Sequence, residues 1–90
     1  PIRVCEMLAT LDGPSYIARC AADSVPHIKE AKKAIKKAFE YQMDGKGLSF
    51  VEILSTCPTN WGMSPVEANE RLRKEMIPYY PLGVYKDEEA

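Results

Sequence analysis

The longest regular pattern along the chain runs from about Pro26 to Met43. Apolar side chains recur there three or four positions apart, with lysines between them, and one stripe contains Ile28, Ala31, Ile35, Ala38, Phe39 and Gln42 or Met43. This spacing places the stripe on one side of an α-helix and the charges on the other. Just before it, Asp23-Ser24 and then Val25-Pro26 have the chemistry of a helix start. We therefore predict an amphipathic helix with its apolar stripe against the core.

Two short apolar runs, Tyr16–Ala21 and Leu48–Leu54, stand on either side of this helix. Both are rich in β-branched or aromatic residues and are bounded by turn residues, which is typical of buried strands. Strand, helix and strand of these lengths predict one right-handed βαβ unit with parallel strands. We expect Tyr16–Ala21 to be buried on both faces and Leu48–Leu54 to be central. Since two parallel strands leave open edges, we expect a larger, mainly parallel sheet.

Helices are also predicted at both ends of this unit. Ile2–Leu11 has apolar residues at helical spacing, and Ser64-Pro65-Val66-Glu67 is a capping box that opens a third helix, which Ile77-Pro78 should break. The fold class is therefore α/β, with the order αβαβα. We expect residues 1–85 to form one segment of an α/β domain and the charged residues 86–90 to form a disordered tail.

Composition excludes several classes of partner. Among the 90 residues, 12 basic and 13 acidic side chains give a net charge of −1, which provides no field to attract nucleic acid or an anionic membrane. No apolar run approaches the ~18 residues that span a bilayer. Three scattered cysteines argue against a secreted disulfide framework and favour a reducing, cytoplasmic setting. Because the chain begins at Pro1 without an initiator Met, we expect a fragment.

Cys57 is the strongest candidate for chemistry. It follows the predicted strand Leu48–Leu54, and ligand sites of open α/β sheets gather at the carboxyl ends of strands. Pro58 biases Cys57 toward an extended backbone, so a rigid turn could present its thiolate to a metal. Two other interpretations stay open: a small buried hydrophobe in a tight turn, or a redox-active thiol. Asn60 and Trp61 could line such a site or simply pack in the loop.

The remaining candidates have structural explanations. Cys5 and Cys20 fall in apolar stripes, where core packing accounts for them. His27 has no second His or Cys at ligand spacing, and we expect a solvated or capping residue. The sequence contains no glycine-rich phosphate loop, no Ser/His/Asp set and no HExxH motif. We therefore predict no catalytic residues in the chain.

A family resemblance rests on two stretches, Leu54–Ala68 with its Cys-Pro-Thr loop and Met76–Gly83 with its Ile-Pro-Tyr-Tyr-Pro-Leu run. Together with Ala18-Arg19 and the helix Pro26–Gln42, they extend over nearly the whole chain. The sequence resembles the C-terminal part of the thiamine-diphosphate-binding β subunit of 2-oxoacid:ferredoxin oxidoreductases. The branched-chain 2-oxoacid (ketoisovalerate) and 2-oxoglutarate enzymes are the most similar types.

This resemblance implies a function that depends on a parent enzyme. Such enzymes oxidatively decarboxylate a 2-oxoacid on thiamine diphosphate and Mg²⁺, form an acyl-CoA from coenzyme A, and pass electrons through iron–sulfur clusters to ferredoxin. Cys57 matches the position of the fourth ligand of a 4Fe-4S cluster, and the other three lie earlier in that subunit. The family's N-terminal Cys-x-x-Cys and Gly-Asp-Gly motifs are missing, so we expect the 90-residue chain alone to be inactive and to bind neither cofactor. The alternative is a non-enzymatic module that docks on partner subunits.

Overall fold

The structure, a computed structural model, describes residues 2–55 and 64–88. Their elements confirm the predicted α/β class, and in chain order they are α1 (Val4–Leu8), β1 (Pro14–Ala21), α2 (Val25–Met43), β2 (Leu48–Leu54), α3 (Pro65–Arg71), a π-helical turn (Leu72–Met76), α4 (Ile77–Tyr79) and β3 (Gly83–Asp87). No helix in these two described ranges has the length and hydrophobicity needed to cross a bilayer.

Strand β1 is the centre of a three-stranded sheet with the order β2-β1-β3. It pairs with β2 in parallel and with β3 antiparallel, so the parallel pair of the predicted βαβ unit is confirmed. All eight residues of β1 are buried, as we expected for a strand covered on both faces. The expectation that Leu48–Leu54 is central is wrong for the described strands, because β3 returns to the other side of β1 and leaves β2 at the edge. The right-handed crossover stays a prediction.

Helix α2 covers one face of the sheet through its small residues. Ala31, Ala34 and Tyr41 are buried against the side chains of β1 that point to this face, which are Tyr16, Ala18 and Cys20. The predicted core stripe is therefore only partly correct, since Phe39 is 67% and Met43 is 85% exposed. Alanine side chains let the helix approach the sheet closely, and the bulkier residues then lie beside the contact rather than in it.

The opposite face of the sheet is covered by α1 and by the helical segment that follows residue 63. Leu72, in the π-helical turn, is fully buried against Ala21 and Leu54 at the ends of β1 and β2.

The predicted break at Ile77-Pro78 is wrong, because α4 continues through Pro78. Proline lies in the first turn of α4, directly after the irregular π turn, where its missing N–H is tolerated.

Both ends of the chain depart from the predicted boundaries. Helix α1 is shorter than the expected Ile2–Leu11: Cys5 is buried, whereas Ile2 is 70% exposed. Lys86 and Asp87, which we expected in the disordered tail, are the last residues of β3. The Asp87 carboxylate is buried and accepts hydrogen bonds from Lys37 Nζ and the Tyr41 hydroxyl of α2. These bonds hold the tail region to the fold.

Candidate functional site

The carboxyl ends of β1 and β2 lie side by side. Ala21 is in register with Leu54, and the Ala22 amide donates a hydrogen bond of 2.9 Å to the Leu54 carbonyl oxygen. Asp23 and Ser55 therefore leave the sheet at the same edge, which is where ligand sites of parallel sheets form. Cys57 is two residues beyond Ser55, and with Asn60 and Trp61 it lies outside the described residues. Its predicted role as a metal ligand stays a prediction.

Asp23 is the buried charge at this edge, with a side chain that is only 1% exposed. Arg73 Nε donates to its Oδ2 at 2.9 Å, and Arg73 Nη2 donates to its main-chain oxygen at 3.0 Å. The ring Nδ1 of His27 bonds the other carboxylate oxygen, Oδ1. Burial alone would raise the pKa of Asp23, but the hydrogen bonds from His27 and Arg73 outweigh it and lower the pKa. Asp23 is therefore an ionised bridge between two basic side chains.

These bonds connect three elements at one point. Ser24 caps α2, and its hydroxyl oxygen accepts a hydrogen bond from the His27 amide. His27, expected from the sequence to be solvated or capping, is not the cap itself: its amide is the group that Ser24 caps, and its ring contacts Asp23. Arg73 belongs to the π-helical turn, next to the buried Leu72. Asp23 therefore ties the end of β1 and the start of α2 to the helical segment that follows residue 63.

Arg19 is a second buried charge that the sequence reasoning missed. Its guanidinium donates to both Glu6 carboxylate oxygens at 2.7 and 3.1 Å, and to Glu52 Oε2 at 2.8 Å. It also donates to the Tyr85 hydroxyl at 3.1 Å and to the Pro81 carbonyl oxygen at 3.4 Å. Burial opposes ionisation, but the hydrogen bonds to Glu6 and Glu52 outweigh it and raise the pKa of Arg19. This network joins α1 to all three strands.

Cys5 and Cys20 are buried in the core on opposite faces of the sheet, which confirms the packing role predicted for them. Burial and a hydrogen bond to Glu52 raise the pKa of the Cys5 thiol to about 12. Burial also raises the pKa of Cys20. Both thiols are therefore protonated at neutral pH. Within residues 2–55 and 64–88, no group of three or more His, Cys, Asp or Glu side chains is arranged to hold a metal ion.

A cleft of about 440 Å³ lies between α2 and the β1–β3 pair. Its floor is mostly apolar, with Ala18, Cys20 and Val84, and its rim includes Glu30 and Lys33. Because Lys33 is paired with Glu30 and Lys37, which also lines the cleft, is paired with Asp87, these charges select neither an anionic nor a cationic ligand. The cleft gives no assignment of substrate.

Two curated proteins match the chain. It is 40% identical over all 90 residues to the ketoisovalerate oxidoreductase subunit VorA of Methanothermobacter thermautotrophicus, and this match spans 19% of that protein. For VorA of Methanothermobacter marburgensis the identity is 40% over 87 residues, which are 97% of the chain and 18% of the relative. The chain is similar, over its whole length, to part of VorA.

This similarity supports the 2-oxoacid oxidoreductase family that the sequence resembles. The assignment to a thiamine-diphosphate-binding β subunit, and to the C-terminal part of it, stays a prediction. No protein-family model matches the chain, and no solved structure matches it significantly. The chain spans less than a fifth of the length of the two VorA proteins.

Proposed function

We propose that the chain is a segment of an oxidoreductase subunit that acts on a branched-chain 2-oxoacid such as ketoisovalerate. The 40% identity to VorA over the full 90 residues is the observation that carries this proposal. In the parent enzyme, the thiamine-diphosphate-binding subunit decarboxylates the 2-oxoacid with Mg²⁺ present, coenzyme A accepts the acyl group, and ferredoxin accepts the electrons. The other subunits of the enzyme are the expected partners, and the segment alone is inactive.

Within this proposal, Cys57 is a ligand of a 4Fe-4S cluster. Thiolate sulfur is the usual protein ligand of such clusters, so the donor chemistry fits. Two observations support the choice of this thiol: it closely follows the carboxyl end of β2, and the other two thiols, Cys5 and Cys20, are committed to the core. A single ligand cannot bind the cluster, so the remaining thiolates must come from other parts of the parent enzyme.

Replacing Cys57 with Ala in the intact oxidoreductase tests this role. We expect the loss of one four-iron cluster, measured as protein-bound iron and as visible absorption. Cys20→Ala is the matched control, since it removes another thiol of the same chain, and its iron content should equal that of the wild type. Wild-type iron content in Cys57→Ala would refute the ligand role.

The activity of the intact enzyme is a separate test. Reduction of ferredoxin should depend on both ketoisovalerate and coenzyme A, and it should be slower with 2-oxoglutarate. Failure to reduce ferredoxin with either 2-oxoacid would refute the proposed enzymatic function.

A second candidate is a non-enzymatic module that docks on partner subunits. It is favoured by the exposed side of α2, where Phe39 and Met43 lie uncovered and Ile35 borders a shallow groove with Val51 of the edge strand β2. In that role Cys57 is inert, so Cys57→Ala would change neither the iron content nor electron transfer. Phe39→Ser would instead release partner subunits in size-exclusion chromatography, whereas Lys32→Ser on the same helix would not.

A further inference from the structure

We propose that another strand–helix unit of the same subunit covers the side of α2 that lies next to β2. Its helix has an apolar stripe bordered by a row of acidic side chains, and its strand pairs with the open edge of β2. This inference rests on the proposal that the chain is a segment of a longer subunit, but not on the role of Cys57 or on the substrate. The two VorA relatives extend well beyond the length that matches the chain, so such a subunit has the sequence to supply this unit.

The covered surface begins as an apolar strip on α2. Ile28, Ile35 and Phe39 are exposed at helical spacing, and the last two line the groove between α2 and β2 together with Val51. Ile53 is two residues beyond Val51, on the same face of β2, and is also exposed. The strip therefore continues from the helix onto the strand. A continuous apolar surface of this kind is typical of one that another element covers.

A row of lysines borders the strip on its solvent side. Lys29, Lys32 and Lys36 are exposed and extend over about 10 Å of the helix. Within the described residues no ion pair involves any of the three, whereas Lys33 and Lys37, which line the cleft on the other side of α2, are both paired.

The combination of charge and apolar surface identifies the chemistry of the occupant. A polyanion would pair with the lysines but would leave the apolar strip in water. An amphipathic helix with a row of Asp or Glu beside its apolar stripe satisfies both. The acidic row should extend over at least two helical turns, since the lysine row does.

The open edge of β2 favours an occupant from the same subunit. Among the described strands, β2 has a neighbour only on the side of β1. It contains no Lys or Pro, and its one charge, Glu52, is paired with Arg19. The other outer strand, β3, is shorter and contains Lys86, as protected edge strands do. A strand–helix unit would pair the edge and cover the strip together, whereas a helix docked from a partner subunit would leave the edge open.

Amide hydrogen exchange in the intact oxidoreductase tests the strand. Successive residues of a strand direct their N–H groups to opposite neighbours, so an edge strand protects only alternate amides. We expect every amide of Leu48–Leu54 to exchange slowly. Fast exchange at alternate residues of β2 would show that it is a true edge and would overturn the inference.

Carbodiimide cross-linking of the same wild-type enzyme tests the helix, because this reagent joins lysine amines to carboxylates in direct contact. Mass spectrometry should identify links from Lys32 or Lys36 to Asp or Glu of the same subunit, within a stretch that has apolar residues at helical spacing. The Lys33–Glu30 pair, 3.5 Å apart, is the internal control for the reaction. A link from Lys32 or Lys36 to another subunit would overturn the inference, and so would the absence of both links when the control link forms.

Phe39→Ser measures what the contact contributes. We expect the β2 amides to exchange about 10-fold faster, because an aromatic side chain no longer packs against the added helix. The subunits should stay associated in size-exclusion chromatography. Val66→Ser on α3 is the matched control, since Val66 is 69% exposed and Phe39 is 67% exposed, and its β2 exchange should equal that of the wild type. Release of subunits by Phe39→Ser would overturn the inference in favour of docking on a partner.

These outcomes are independent of those that test the proposed function. If ferredoxin is not reduced, or if Cys57→Ala keeps its iron, the proposed function or the ligand role fails, and the exchange and cross-linking results still decide the inference. If those tests succeed but β2 exchanges as an edge strand, only the inference is overturned.

Discussion

Replacing Arg19 with Met should weaken the centre of the sheet more than any surface substitution. The Arg19 side chain is completely buried, and it forms ion pairs with Glu6 and Glu52, whose side chains remain 33% and 25% exposed. Breaking a buried ion pair costs about 3–5 kcal/mol when the partner charge stays behind. Because water reaches both carboxylates, we expect a loss near the lower end, about 3 kcal/mol.

Hydrogen exchange of the β1 amides in the intact protein measures this loss locally. With 1.4 kcal/mol for each factor of ten, a loss of about 3 kcal/mol corresponds to roughly 100-fold faster exchange. Lys33→Met is the control, since Lys33 is 77% exposed and its ion pair with Glu30 spans 3.5 Å. Its effect should be at most about 1 kcal/mol, or roughly fivefold.

Exchange of β1 in Arg19→Met within threefold of the wild type would refute the argument that this network supports the sheet. The exchange rate of the β1 amides in Arg19→Lys should lie between those of the wild type and Arg19→Met, because lysine keeps the charge but cannot reproduce the planar fork that bonds Glu6 and Glu52. A lysine variant equal to the wild type would show that charge alone is sufficient.

Three further predictions concern the ends of elements. Burial would raise the pKa of Asp23, but the hydrogen bonds from His27 and Arg73 outweigh it and hold this pKa below the usual 3.8. The Asp23 charge therefore stabilises the fold above pH 3.8, and this contribution disappears as the pH falls through the lowered pKa. Acid titration followed by circular dichroism should show a shallower loss for Asp23→Asn, and an unchanged curve would contradict this. Ser64→Ala should cost about 1 kcal/mol and speed amide exchange in the first turn of α3 roughly fivefold, whereas equal rates would show that the cap contributes nothing. Gly47→Ala should lower the melting temperature more than Gly45→Ala. Both glycines have a positive φ, but of the two only Gly47 would place an added Cβ 2.7 Å from a backbone oxygen, that of Gly13. Equal melting temperatures would refute the clash.

The elements of the fold could be predicted because local signals and tertiary contacts agree in them. The runs that became β1 and β2 are apolar and bounded by turns, and Ser24 and Ser64 cap helices in the structure as their positions in the sequence predict. The stripe on α2 was harder, since alanine gives a weaker hydropathy signal than Ile35 or Phe39. Close approach to the sheet nevertheless selects the alanines, and this preference depends on a partner surface that the helix sequence does not contain.

The buried charges were missed for a related reason. Arg19 stands alone in an apolar run, and that isolation was a usable signal, since a charge in a buried strand needs partners. Its partners, Glu6 and Glu52, are 13 and 33 residues away, so their identity depends on the register of the sheet. Asp23 was read as part of a helix start, whereas its partner Arg73 is 50 residues away. Pairings of this range follow from topology rather than from local spacing.

The return of β3 to the middle strand has a consequence for biosynthesis. Arg19 and Tyr85, which bond across the sheet, are 66 residues apart. Ribosomes add roughly 5–20 residues per second, so several seconds separate the synthesis of the two strands. The βαβ unit is finished during that interval, while one edge of β1 still waits for its partner. Among the three described strands, the most deeply buried one is thus the one whose pairing is completed last.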